Sequence, residues 1–239
     1  MNDVELIRKY VSKDLQEEAM KKLQQGYPVQ YIIGNVEFYG NAINVNENVL
    51  IPRFETEYLV EKTINYIKSL GLENPKILEI GTGSGCISIA LKKNIISDVT
   101  AIDVSNKALE IAKDNANLNK TKIKFMLEDI NDFKSNDKFD VIISNPPYVP
   151  YESNYDEKIK YEPENAIFAE ENGIYFYKVI LERLKNNLKD NYLIAFEIGD
   201  KEGDLIKQLV DIHFPKAYFK LEKDYNNYER YVFISNKKL

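Results

Sequence analysis

Cysteine and histidine are almost absent: the 239-residue chain carries one of each, Cys86 and His213. A lone cysteine cannot close an internal disulfide, which fits a cytoplasmic protein. The pair cannot build a Cys/His zinc cluster, and any histidine-dependent nucleophilic triad has to use His213. Long apolar runs are missing as well. No stretch approaches the roughly 18 apolar residues a membrane span needs, and the N-terminal MNDVELIRKY lacks the apolar core of a secretory signal. Nor is there an excess of positive charge, since 32 Lys+Arg face 38 Asp+Glu for a formal net charge of −6. That balance weighs against a large, non-specific nucleic-acid surface, although a local basic patch escapes the argument. What is present, 44% hydrophobic and 29% charged residues, suits a soluble globular protein with a real core. The length fits one mid-sized domain with a small appendage.

Residues 3–25 read as one helix, with Leu15, Ala19 and Leu23 at helical spacing, a capping box at Asp14 and Glu17, and Gly26 as terminator. Between 31 and 51 short β-like pieces alternate with Gly34, Gly40 and Asn/Glu turns, which suggests a hairpin. A second helix spans about 55–70 and buries Leu59, Thr63, Tyr66 and Ile67. After Pro75 the rhythm becomes strand, turn, helix. Strands are expected at 76–80, 99–102, 122–127, 140–144, 192–198, 217–221 and 230–235. Helices are expected at 86–93, 105–118, 173–188 and 202–213. Such alternation implies right-handed crossovers and a mostly parallel sheet covered on both faces. The last two strands are close in sequence and should pair antiparallel. No internal repeat is visible, and the many Asn, Lys and Ile residues read as compositional bias.

Two constellations carry chemistry. The first is Gly81, Thr82, Gly83, Ser84 and Gly85, which follow the strand Ile77-Leu78-Glu79-Ile80 and open a helix. Glycines let the backbone turn sharply and approach a ligand, and the helix beyond offers free N–H groups. Asp103, at the end of the next strand, can accept two hydrogen bonds from a ribose diol. A tight turn beside a surface aspartate would look alike, but the element order favours a nucleoside ligand. The pair alone does not choose between NAD and S-adenosylmethionine. The spacing G-x-G-x-G, in place of G-x-G-x-x-G, and the lack of a second mononucleotide-binding half tilt toward S-adenosylmethionine. Asp129 can accept from an adenine amino group while Ile130 packs beside the ring; an acid capping the next turn fits the sequence as well.

The second constellation is Asn145-Pro146-Pro147-Tyr148, at the end of the strand 140–144. Two prolines fix the backbone and remove two N–H donors. Asn145 Oδ1 and the Pro146 carbonyl can then accept both hydrogens of a planar –NH2 group while Tyr148 packs on its plane. A rigid proline turn would have the same sequence. Its place at the C-terminal end of a parallel strand, where open α/β sheets bind ligands, favours the functional reading.

These segments resemble the Class I S-adenosylmethionine-dependent methyltransferases and, more narrowly, the HemK/PrmC family. That family methylates the side-chain amide nitrogen of the glutamine in the Gly-Gly-Gln motif of peptide chain release factors. The likeness runs from about Leu15 to Ser235 through YPVQYIIGNVEFYG, VLIPRFETEYLVE, ILEIGTGSGCISIAL, AIDVSNKALEIAKDNA, DVIISNPPYVP, YEPENAIF and KDYNNYERYV. Asn-Pro-Pro-Tyr alone is shared with DNA and RNA adenine methyltransferases. The PR-x-ETE segment with the YIIG…EFYG hairpin is far more specific.

The resemblance implies a Rossmann-like α/β fold. Its sheet would have seven strands, mostly parallel with an antiparallel last strand, preceded by a short helix and a β-hairpin. It divides the chain into a helical segment at 1–26, shorter than the family's N-terminal helical domain, a hairpin and linker at 27–54, and a methyltransferase domain at 55–239. Gly81, Thr82, Gly83, Ser84 and Gly85 would cradle the methionine part of S-adenosylmethionine. Asp103 would hold the ribose, and Asp129 with Ile130 the adenine. Asn145, also beside the cofactor, would bind the glutamine amide together with Pro146, Pro147 and Tyr148. No metal is implied.

Phe54 replaces a family proline, which suggests a less rigid loop near the site. Residues 152–171 carry seven acids and two lysines, read as a mostly solvated loop. An acidic rim would tolerate a protein substrate and repel a phosphate backbone. That counts against the alternatives of adenine methylation in nucleic acid, and leaves open a ribosomal-protein glutamine. Tyr151, Tyr155 and Tyr161 read as core or rim aromatics, Asp224 and Arg230 as a structural pair, His213 as a helix-end residue and Cys86 as packing.

Overall fold

The computed structural model describes residues 1–153 and 157–239. The expected single helix over 3–25 is two helices, α1 (Asp3–Tyr10) and α2 (Gln16–Gln24). Gln16 explains the break. Its side-chain amide donates to the carbonyls of Arg8 at 3.2 Å and Val11 at 3.0 Å, satisfying the open end of α1. The capping box belongs to Asn2 and Glu5, not to Asp14 and Glu17, and Leu15 is the N-cap of α2. Gly26 does end the run, at φ +84°. Ile7 and Ala19 bury against Val29 of the short helix α3 (Val29–Ile33), which takes residues expected to begin the hairpin.

The hairpin is confined to β1 (Asn35–Phe38) and β2 (Asn41–Asn44). It is pinned to the body of the protein by asparagines. Asn115 accepts from the Asn44 amide at 2.8 Å and donates to the carbonyls of Asn44 and Ser84, each at 2.9 Å, while Asn119 donates to Ala42 at 2.8 Å. Helix α4 (Phe54–Ser69) buries Leu59, Thr63, Tyr66 and Ile67 as expected. Phe54 is its first residue, exposed, so this position belongs to a helix and not to a loosened loop.

From Lys76 the alternating rhythm holds: β3 (Lys76–Ile80), α5 (Cys86–Asn94), β4 (Asp98–Asp103), α6 (Asn106–Leu118), β5 (Lys124–Leu127) and β6 (Phe139–Ser144). A two-residue pair, β7 (Val149–Pro150) with β8 (Phe168–Ala169), follows, which the sequence did not suggest. Then come α7 (Tyr175–Leu184), β9 (Leu188–Glu197), α8 (Gly203–His213), β10 (Tyr218–Lys223) and β11 (Glu229–Ser235). The helix expected at 173–188 stops at Leu184. Asn187 donates to Ser135 and Asp137 carbonyls and accepts from Phe139, so the chain turns and Leu188 opens a strand.

Seven strands form one sheet in the order β10-β11-β9-β6-β3-β4-β5. β3 runs parallel to β4 and β6, β5 to β4, and β9 to β6, while β11 is antiparallel to both neighbours. The Rossmann-like α/β fold with an antiparallel last strand is therefore present. Its inner strands are apolar on both faces because helices cover both. Val141 and Ile143 of β6 pack with α4 and α5; Ile142, between them, packs with Tyr177, Ile180 and Leu181 of α7. Each fully buried Ile or Leu contributes about 2 kcal/mol relative to exposure. The strand order reverses at β3, which opens a crevice at the C-terminal ends of β3, β4 and β6. Among the described residues no helix is long and apolar enough to cross a membrane.

Candidate active site

The crevice is a solvent-open cleft. Gly81, Thr82, Gly83, Ser84, Asp103, Asp129, Ile130, Asn145, Pro146 and Pro147 all line it. The glycine turn is clasped to β4, because the amides of Gly81 and Thr82 both donate to the Ile102 carbonyl at 3.0 Å. A Cβ at Gly81 or Gly83 would meet open space, whereas one at Gly85 would lie 3.1 Å from Ala112 Cβ. Gly85 is absent from the cleft lining; it lets α5 approach α6.

Asp103 accepts from the Gly83 amide at 2.8 Å and the Ser105 amide at 2.9 Å, one on each oxygen. Burial pushes this carboxyl up, and those backbone donors pull it back. Each oxygen keeps a further lone pair for a ligand. Asp129 caps the following turn through Oδ1, which accepts from the Asn131 amide at 2.8 Å and Asn131 Nδ2 at 3.0 Å. Ile130 is buried against the cleft wall.

Asn145 donates through Nδ2 to Thr56 Oγ1 at 3.1 Å, and Thr56 donates to Glu197 Oε2 at 2.7 Å. Tyr148 is not part of the lining. Its hydroxyl donates to Glu197 Oε1 at 3.4 Å, and the Arg230 guanidinium lies 5.9 Å from its ring centre. Asp224 and Arg230 do pair, at 3.4 Å.

Three contributors were missed by sequence reasoning. Glu79 is 1% exposed; it accepts from Thr82 Oγ1 at 2.8 Å and from Ser88, while its Oε1 is buried without a partner among the described residues. Glu197 is equally buried. The available signal was a carboxylate inside an otherwise apolar strand, ILEI and IAFEI, which is costly unless used. The third is Glu162, expected in a solvated loop. It is buried, pairs with Arg53 at 2.5 Å and accepts from the Ile51 amide at 3.0 Å, latching the segment before α4 to the segment after the proline turn. Glu152, Glu164, Glu170 and Glu171 are exposed, as expected. Tyr151 stacks on Phe168 and Tyr161 meets Tyr27 edge-on; Tyr155 lies outside the described residues. Cys86 opens α5 in the core, where burial pushes its thiol up to about 12, and His213 ends α8. Among the described residues no cluster of His, Cys, Asp or Glu is arranged to hold a metal ion.

Burial pushes Glu79, Glu197 and Glu202 each up to about 7. The folded state therefore holds these protons more tightly than the unfolded chain. The stability they contribute is complete below the ordinary carboxylate range and is lost as pH rises through about 7. Thermal melts should accordingly show Tm falling between pH 6 and pH 8, and Glu79→Gln should flatten that slope. A Tm that rises over this interval would refute the assignment.

The Methyltransferase small domain family matches residues 56–160. A release factor glutamine methyltransferase of Flavobacterium psychrophilum is 42% identical over 232 residues, which cover 92% of this chain and 79% of that protein. One from Lactococcus lactis is 39% identical over 221 residues, covering 91% and 80%. A solved structure, the protein-(glutamine-N5) methyltransferase (release factor-specific) of Alicyclobacillus acidocaldarius, superposes with a TM-score of 0.51 at 22% identity. The match covers 82% of this chain and 99% of that one. At that identity the likeness speaks for the fold.

Proposed function

The chain belongs to the release factor glutamine methyltransferase family, and from that premise we infer that it methylates the side-chain amide nitrogen of the Gly-Gly-Gln glutamine in peptide chain release factors. The observation that carries this reading is a convergence. A glycine turn with a strand-end acid, Asp103, shares one cleft with Asn145 and Pro146 at the neighbouring strand end. S-adenosylmethionine supplies an electrophilic methyl group when bound. The residues suit it: Asp103 offers two acceptors to a ribose diol, Ile130 offers an apolar wall, and the unpartnered Glu79 Oε1 would gain a partner from the ligand's ammonium group.

An amide nitrogen is a poor nucleophile, because its lone pair is shared with the carbonyl. Asn145 Oδ1 and the Pro146 carbonyl, accepting its two hydrogens, would push electron density back onto nitrogen and fix the line of attack. His213 ends a helix and does not line the cleft, so it is no base here. Positioning therefore carries the rate, and the proton leaves late to solvent or a carbonyl. The exposed Glu152, Glu164 and Glu170 around residues 152–171 support a protein substrate over a polyanion.

Incubation with S-adenosylmethionine and a bacterial release factor, followed by tandem mass spectrometry, tests the reading. A methyl on the Gly-Gly-Gln glutamine, absent from a Gln→Ala factor, is expected; methylation elsewhere, or none, would overturn it. Asp103→Ala should weaken S-adenosylhomocysteine binding by roughly 10²-fold, through loss of charge-assisted hydrogen bonds to the ribose. Calorimetry checks this, and unchanged affinity would remove Asp103 from the ligand site.

A further inference from the structure

Glu197 sits at the C-terminal end of β9 in the run Ile194-Ala195-Phe196-Glu197-Ile198, whose other members are fully buried and apolar. It touches both ends of the proline turn: Asn145 through Thr56, and Tyr148 directly. We propose that Thr56 and Glu197 are positioning residues that hold the Asn145 carboxamide with its oxygen toward the cleft. The inference rests on the glutamine-methylation reading and adds a polarity to it.

Donors and acceptors decide which way the amide points. An ionised carboxylate only accepts, so the single Thr56 hydroxyl hydrogen points at Glu197. Thr56 Oγ1 is then an acceptor toward Asn145, and only the –NH2 end of the Asn145 amide satisfies it. Asn145 Oδ1 is left facing the cleft, where it can accept from a substrate amide. Removing the hydroxyl, or protonating Glu197, releases this constraint. The carboxamide can then turn over and present –NH2 to –NH2, which misaligns the nucleophile.

The groups around Glu197 come from five directions. Thr56 and Glu55 face it from α4, Tyr148 from the proline turn, Arg230 and Tyr231 from β11 and Cys86 from α5. Tyr177 of α7 donates to its backbone carbonyl at 2.9 Å. Burial dominates and raises its proton affinity; Glu55 adds to this, while Thr56, Arg230 and Tyr148 oppose it. Arg230 is itself anchored by Asp224 and by the Ile198 carbonyl at 3.0 Å. The relay therefore loses its polarity as pH falls through about 7, and kcat should fall with it.

Steady-state kinetics of wild type, Thr56→Val, Thr56→Ser and Glu197→Gln between pH 5.5 and pH 9 test the proposal. Thr56→Val should lower kcat by roughly 10²-fold, as expected for a misaligned reacting group, with KM for S-adenosylmethionine unchanged. Thr56→Ser should recover most of the loss, and Glu197→Gln should remove the acidic limb of the kcat profile. Wild-type kcat in Thr56→Val, or an acidic limb that persists in Glu197→Gln, would overturn it. The orientation itself is read without turnover from the side-chain amide resonances of Asn145 in 15N-labelled protein with S-adenosylhomocysteine. Those resonances should move in Thr56→Val and, in wild type, with pH through the same range. If they do not move, the relay is absent. If they move while no release factor is methylated, the relay stands and the substrate assignment fails.

Discussion

Asn145→Ala is expected to lower kcat for glutamine methylation by roughly 10²- to 10³-fold, the loss found when one preorganised hydrogen-bonding group is removed from a developing charge. The side chain is held from behind by Thr56, so its oxygen is aimed before substrate arrives and needs no reorganisation. S-adenosylhomocysteine affinity should change by no more than about fivefold, the worth of one ordinary hydrogen bond. A kcat loss with retained ligand binding separates the amide-holding role from a role in holding the ligand, since Asn145 lines the same cleft as the glycine turn. Single-turnover methylation and calorimetry on the same preparation check both halves. A large fall in ligand affinity with near-normal single-turnover rate would reverse the assignment.

Gly173→Ala is expected to be strongly destabilising. Gly173 has φ +94°, and a Cβ there would overlap the Tyr148 carbonyl oxygen and Glu202 Oε1. The Tyr148 carbonyl is backbone of the proline turn and cannot move without carrying the turn along. Left-handed strain and overlap together should cost roughly 3 kcal/mol, or about 6–12 °C in Tm for a chain of this size. Gly34→Ala is the control. Its φ is +86° and nothing among the described residues lies within 4 Å of the added Cβ, so only the strain of about 1 kcal/mol applies. Equal losses in the two variants would show that the Gly173–Tyr148 contact does not matter.

The central sheet was legible because parallel strands covered on both faces leave long apolar runs with glycine or asparagine between them. Of the candidate site, the strand-end residues Gly81, Asp103 and Asn145 were legible in the sequence, and the fold brings all three to one cleft. What escaped was set by long-range pairing. Gln16 breaks the first helix by reaching back to carbonyls eight and five residues away, and Asn187 ends another by bonding across to Ser135 and Asp137. Amphipathic periodicity carries no trace of either. Asn115 and Asn119, which looked like compositional bias, are the pins of the hairpin. Glu79 and Glu197 could have been found, since an acid amid apolar strand residues is expensive to bury without a purpose. The Glu162–Arg53 latch joins positions 109 residues apart and could not.

A crystal structure with S-adenosylhomocysteine and a peptide carrying Gly-Gly-Gln would show directly whether the cleft holds the glutamine amide as proposed. The glutamine amide nitrogen should lie between Asn145 Oδ1 and the Pro146 carbonyl, about 3 Å from each, with the ribose hydroxyls on Asp103. A glutamine side chain seated away from Asn145, or a nucleoside that does not touch Asp103, would contradict it.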